Sequence, residues 1–198
     1  RGRRRGTGDW RLWNRAGCDP VVLERRKSEA NRLQDLVDAG DLVLEADSDA
    51  RTAQAVGIIE QVHEAGLLAG VGLDQYGPGK AVVALAAAGV EGQVETAQGK
   101  APLIEGVPQG WKLSGAIKLL ELRLADDRCR HAGQALMAWC VGNAKVEPRG
   151  NAISITKQAA GVGKIDPLVA TFNATALMMR DPQARGQSVY EGRGLILI

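Results

Sequence analysis

The chain has 198 residues, of which 45% are apolar and 24% charged, the composition of a folded globular protein and not of a disordered one. A chain of this length buries roughly 70% of the surface that its unfolded form exposes, so a core is possible without metal or disulfide staples. No stretch reaches the about 20 apolar residues of a membrane-spanning helix, and the initial RGRRRG lacks the apolar segment of a signal peptide. The net charge of +2 conceals opposed blocks: residues 1–30 carry +5, residues 31–99 carry −8, residues 100–164 carry +5, and the remainder is balanced.

In chain order, Trp10–Trp13 predicts a short strand. Asp19-Pro20 then opens a helix, since Asp suits an N-cap and Pro the first turn. Its apolar face is Val22, Leu23, Leu33, Leu36 and Val37, and Gly40 ends it. Leu42–Leu44 reads as a strand. Asp47 or Ser48 caps a second helix with Ala55, Ile58, Ile59 and Val62 on one face, closed by Gly66. Leu67–Leu73 is a continuous apolar run, the pattern of a strand buried on both faces, and it stops at Asp74. Residues 79–88 predict a helix ended by Gly89, and Val94 starts another strand. Residues 99–110, with two prolines and three glycines, read as a loop.

Ser114 caps a helix carrying Ile117, Leu119, Leu120 and Leu124, and residues 134–142 predict a buried helix. AKVE, the turn PRGN and AISI form a hairpin, followed by a connector containing Gly161 and Gly163. A last helix spans about Asp166 to Met179, and residues 181–198 form a tail. Short apolar runs alternating with amphipathic stretches are the α/β pattern.

The three cysteines, Cys18, Cys129 and Cys140, are odd in number and widely spaced, as reduced thiols of a cytosolic protein are. His63 and His131 lie in no Ser or Cys nucleophile motif; they are surface or core-edge residues. GVGLDQYGPGK fits neither the Walker pattern nor the dinucleotide fingerprint, and no Cys/His metal spacing is present.

The carboxylates are more informative. Asp35, Asp38, Glu60 and Glu64 lie on polar helix faces. Asp74 differs because it ends the most apolar strand, where a buried carboxylate is costly unless paired or metal-bound and where α/β sheets build their sites. Its alternative role is to cap the turn QYGPG. Asp166, between Ile165 and an apolar helix face, is either an ordinary N-cap or an acid at the edge of the core. Together they would offer hard oxygen ligands for Mg²⁺ or Mn²⁺, the ions that cleave phosphodiesters in pairs. The basic block 100–164 could hold a phosphate backbone beside them.

The segments GWKLSGAIKLLELRLADD, RHAGQALMAWCVGNAKVEPRGNAISITKQAAGVGKIDPLVATFNATALM, CDPVVLERRKSEANRLQDLVDAGDLVL and GVGLDQYG resemble the large terminase subunit of tailed double-stranded DNA bacteriophages, from about Trp10 to the chain's end. The resemblance implies an α/β, RNase H-like nuclease fold with a mixed central sheet flanked by helices, here lacking its first strand. It implies a nuclease domain over residues 10–180, a basic arm or junction over 1–9 and a tail over 181–198, without the ATPase motor of the family. The family's nuclease binds two divalent metals, Mg²⁺ or Mn²⁺, with a cluster of acids. Asp74 in GLDQYG matches the acid ending a central strand, and Asp166 in KIDP matches the acid starting the last helix.

The family's first-strand acid has no counterpart in RGRRRGTG. With Arg1 in place of Met, this points to part of a longer protein and makes activity of the isolated chain an open point. Lys157 and Lys164 are candidate DNA contacts, whereas Trp111 and Trp139 read as core or core-edge residues. The implied activity is endonucleolytic cleavage of concatemeric double-stranded DNA in the host bacterial cytoplasm, with the terminase small subunit and the portal protein as partners. The alternative is a non-catalytic fragment that binds only DNA or the packaging motor. Another RNase H-like nuclease, such as a resolvase or transposase, is disfavoured by WCVGNAKVEPRGN and KIDP.

Overall fold

The computed structural model describes residues 9–76, 79–157 and 163–183. Residues 1–8 of the expected arm 1–9, Gly161 of the connector and most of the tail, residues 184–198, lie outside them.

The chain opens with strands β1 (Trp10–Leu12) and β2 (Ala16–Cys18). Asp19 then caps α1 (Val21–Arg25), its Oδ1 accepting the Val21 N–H at 2.9 Å. The helix expected to continue to Gly40 is broken: Arg26 leaves helical geometry at φ −120°, ψ 53°, and a second helix, α2, runs over Ala30–Asp38. The break falls in a charged stretch with no apolar residue to anchor it. There Arg26 turns inward and pairs with Glu29 at 3.4 Å. Gly40, at φ 75°, closes α2 in the left-handed conformation that a side chain would strain.

Next come β3 (Leu42–Leu44) and α3 (Ser48–Glu64). Asp47 supplies the N-cap, accepting the Asp49 N–H at 2.7 Å. Then follow β4 (Val71–Asp74), α4 (Gly79–Ala87), β5 (Gln93–Thr96), β6 (Gly99–Pro102) and β7 (Ile104–Val107). A 3₁₀ turn at Gly110–Leu113 leads into α5 (Ser114–Ala125). β8 (Cys129–His131), α6 (Ala135–Gly142), β9 (Ala144–Arg149), β10 (Ala152–Lys157) and α7 (Asp166–Met178) complete the order.

The described chain forms two compact units. The first contains residues up to Arg51 and Pro108–Ala176; the second contains Thr52–Val107 and the chain from Leu177. In the first, β1 pairs in parallel with β8, β2 in parallel with β3, and β9 with β10 as an antiparallel hairpin. The hairpin register joins Arg149 to Ala152 across Gly150–Asn151, and Gly150 has the positive φ, 59°, that such a turn needs. Leu33, Leu36, Leu136, Trp139, Cys140, Leu168 and Phe172 are among its buried residues.

In the second unit β4 and β7 pair in parallel from Val71 with Ile104 to Asp74 with Val107. β5 and β6 form an antiparallel hairpin. Val56, Val71, Leu85, Val90, Val94 and Leu103 make its core.

Several elements differ from expectation for identifiable reasons. Of the apolar run Leu67–Leu73, only Val71–Leu73 finds a strand partner, and Leu67 is 53% exposed. The expected loop 99–110 instead supplies β6 and β7, because backbone pairing outweighs the weak strand preference of Gly and Pro in four-residue strands. Ser114 does not cap α5: its hydroxyl accepts the Ile153 N–H of β10 at 3.0 Å. His131 ends β8 and is exposed, a surface residue as expected. Trp111 is 56% exposed, not buried, whereas Trp139 is in the core as expected.

Candidate nuclease site

Asp74 is the last residue of β4, at the carboxyl end of a parallel strand pair. Its Oδ1 accepts the Tyr76 N–H at 2.9 Å, the turn-capping geometry of Asx residues. The carboxylate is exposed, so the burial penalty expected for it does not arise. Its second carboxylate oxygen is left for a further role. Strand pairing causes this: with β7 beside it, β4 delivers Asp74 past the apolar core of Val71 and Leu73.

Asp166 is the first residue of α7 rather than its cap. Ile165 and Leu168 are 5% and 8% exposed, while Asp166 between them faces solvent. A carboxylate in the first turn is favoured by the helix dipole. The segment around it is anchored on both sides. Asn143 Nδ2 donates to the Lys164 carbonyl at 3.3 Å, and the Val169 N–H closes the first turn on Ile165 at 3.0 Å.

Lys164 and Asp166 border a common cavity of about 220 Å³ in the first unit, with Cys18, Arg26, Trp139 and Pro167 in its wall. Lys157 is exposed at the end of β10. Asp166, Lys157 and Lys164 thus belong to the first unit, and Asp74 to the second. Sequence reasoning missed Arg26 as part of this wall. The inward turn that breaks α1 from α2 carries it there, and a helical reading of residues 20–39 hides that turn.

Asp166 also acts on the core. Cys140 is fully buried, and its thiol is pushed up to about 11, first by burial and then by the negative charge of Asp166, with the Leu168 backbone opposing. All three cysteines are free. Among the described residues, no group of three or more His, Cys, Asp or Glu gathers as a metal cage. The exposed carboxylates of Asp74 and Asp166 offer oxygen donors, the ligand type of hard divalent cations.

A family model described as terminase large subunit, endonuclease domain, matches residues 90–181. Over those residues the chain is similar to the endonuclease domain of the terminase large subunit. The matched residues run from Val90 through α7 and include Lys157, Lys164 and Asp166, while Asp74 precedes them. The crystal structure of the HK97 bacteriophage large terminase shares the fold. It matches with a TM-score of 0.59 at 20% identity, over 81% of this chain and 32% of that one. The chain therefore spans about a third of that terminase's length. Comparison with curated proteins found no match. Among the described residues, no helix is long and apolar enough to cross a membrane.

Proposed function

We propose that this chain is a metal-dependent DNA endonuclease that hydrolyses phosphodiester bonds of concatemeric double-stranded DNA. The observation that carries the proposal is the family match over residues 90–181, within which Asp166 stands exposed at the head of α7. Asp74 and Asp166 would hold Mg²⁺ or Mn²⁺ through their carboxylate oxygens. When bound there, such ions would supply an activated water and charge neutralisation at the leaving oxygen. Lys157 and Lys164 present ammonium groups to the phosphate backbone, orienting the duplex without reading its bases. Asp166 and Lys164 border one cavity, which supports assigning them to one stretch of backbone. The partners would be DNA and the packaging motor, namely the terminase small subunit and the portal, in the host bacterial cytoplasm.

The test is cleavage of supercoiled plasmid with Mn²⁺ by the chain and by its Asp74→Asn and Asp166→Asn variants. Nicking or linearisation by the parent, abolished in both variants, is the expected result. Cleavage that survives in both refutes the assignment of these acids. Salt-sensitive DNA binding without metal-dependent cleavage favours the reading in which the fragment only binds DNA.

A further inference from the structure

In the first unit, residues 10–18 are pinned along one edge. Trp10–Leu12 pairs with β8 and Ala16–Cys18 with β3, both in parallel. Between these strands Asn14 is held by a side chain: its N–H donates to Gln134 Oε1 at 2.7 Å, and its carbonyl accepts from Gln134 Nε2 at 2.6 Å. The buried Asp41 fixes that amide by accepting from Nε2 at 2.9 Å, since only the nitrogen end can donate to a carboxylate. A surrogate peptide unit thus carries the backbone from β1 into β2.

An extended backbone sends alternate side chains to opposite faces, and burial over residues 10–18 follows that alternation without a break. Trp10, Leu12, Asn14, Ala16 and Cys18 are half-buried, whereas Arg11, Trp13, Arg15 and Gly17 are exposed. On the outer face Trp13, 60% exposed, stands between two arginines, with about 6.6 Å from each residue to the next. Neighbouring elements add positive charge. Arg130 of β8 is in register with Arg11, and Arg51 crosses the strip at Gly17, its Cδ 3.6 Å from where a Cβ would stand. Asp127 meets Arg130 at 3.6 Å, with both side chains largely exposed, and Asp9 is exposed at the start of the strip. Among the described residues neither Arg11 nor Arg15 has an ion-pair partner.

This arrangement works against stability. Like charges directly opposite on neighbouring strands repel, and an indole left in water forfeits the burial of its apolar surface. A polyanion with flat apolar faces relieves both costs. Guanidinium groups take phosphates through paired N–H donors, and an aromatic ring among them takes a base by stacking. A base inside a duplex has both faces covered by its neighbours, so the indole requires an unpaired nucleotide. An acidic polypeptide supplies the charge without the ring. We propose that Arg11, Trp13 and Arg15 form a binding strip for single-stranded DNA, in which Trp13 stacks on a base while the two arginines, joined by Arg130, hold the flanking phosphates. The ends of a cut duplex are a source of such strands. The inference rests on the choice of DNA as substrate and not on the metal-binding assignment of Asp74 or Asp166.

The experiment is fluorescence anisotropy of a labelled oligothymidylate at several salt concentrations without divalent metal, with far-ultraviolet circular dichroism as a check on folding. It compares the parent with Trp13→Ala, Trp13→Phe, Arg11→Gln and Arg15→Gln. The basic residues 1–8 are common to all, so differences report on the strip. Trp13→Ala should weaken binding by about tenfold without changing the salt slope, because stacking releases no counterions. Trp13→Phe, which keeps a ring, should bind nearly as the parent does. Each arginine variant should reduce the slope of log K against log salt by about 0.7. A duplex of the same length should bind Trp13→Ala as it binds the parent; an equal loss there overturns the choice of a single strand. Folded Trp13→Ala that binds oligothymidylate like the parent overturns the inference and leaves the nuclease reading standing. Polyglutamate that competes as well as unlabelled oligothymidylate of equal charge overturns it in favour of an acidic polypeptide. A parent that cleaves plasmid but does not bind oligothymidylate overturns the inference alone, whereas one that does neither overturns the DNA reading with it.

Discussion

Replacing Gly163 with alanine tests how tightly the approach to Asp166 is packed. An ideal Cβ at Gly163 would stand closer than 3.0 Å to Cγ, Oδ1 and Nδ2 of Asn143. All three atoms belong to one side chain, so the backbone need not move if Asn143 turns away. It has room to do so, since it borders a cavity of about 530 Å³ beside Ala138 and Gly142. Turning away breaks the 3.3 Å bond from Asn143 Nδ2 to the Lys164 carbonyl. A lost hydrogen bond of this kind costs about 1 kcal/mol, and a strained rotamer adds about 1 kcal/mol. The expected destabilisation is therefore about 2 kcal/mol.

Urea denaturation of Gly163→Ala, Asn143→Ala and the double variant measures this. Asn143→Ala removes all three obstructing atoms. The second alanine should then cost almost nothing, and the double variant should be no less stable than Asn143→Ala. A Gly163→Ala chain as stable as the parent would refute the reasoning. So would a full cost that persists in the Asn143→Ala background, because the obstruction would then lie elsewhere.

Two further predictions concern the two cores separately. In the first unit, the Cys140 thiol is held up at about 11 against 9.0 for a free thiol, so unfolding lets it ionise earlier. Its contribution is whole below pH 9 and is lost as the pH rises towards 11, at about 1.4 kcal/mol per pH unit. Denaturation at pH 8 and pH 10 should show a steeper loss in the parent than in Cys140→Ala; equal losses refute the assignment. In the second unit, Leu85 is 1% exposed and Val83, on the same helix, 71%. Leu85→Ala should cost about 3 kcal/mol in thermal or urea unfolding. Val83→Ala should change stability by less than about 0.5 kcal/mol, and a comparable loss in both would show that α4 packs by a different face.

Much of the local structure could be read from residue types. Gly40, Gly66 and Gly89 end helices as expected, each with φ between 71° and 75°. The hairpin of AKVE and AISI is equally legible, although pairing takes in Pro148 and Arg149 and leaves only Gly150 and Asn151 of the expected PRGN turn. The strands were harder to read. β4 stops where β7 offers a partner, and β7 was concealed by Gly106 and by the prolines on either side of it. β8 is three residues of mixed polarity and exists because β1 lies alongside it. The candidate acids were named from sequence because a carboxylate after an apolar run is conspicuous. Their exposure was not evident, because an apolar neighbourhood in sequence does not say which side of the chain faces water.

By itself the sequence determined the α/β alternation, the helix ends and the terminase resemblance that the match over residues 90–181 bears out. Each depends on residues close together or on an uninterrupted motif. Only the tertiary structure decided the extent of the strands, the exposure of Asp74 and Asp166, and the joining of Asp41 to Gln134 across 93 residues. Strand pairs and buried hydrogen bonds need both partners, and the second partner lies too far along the chain for any local pattern to announce it.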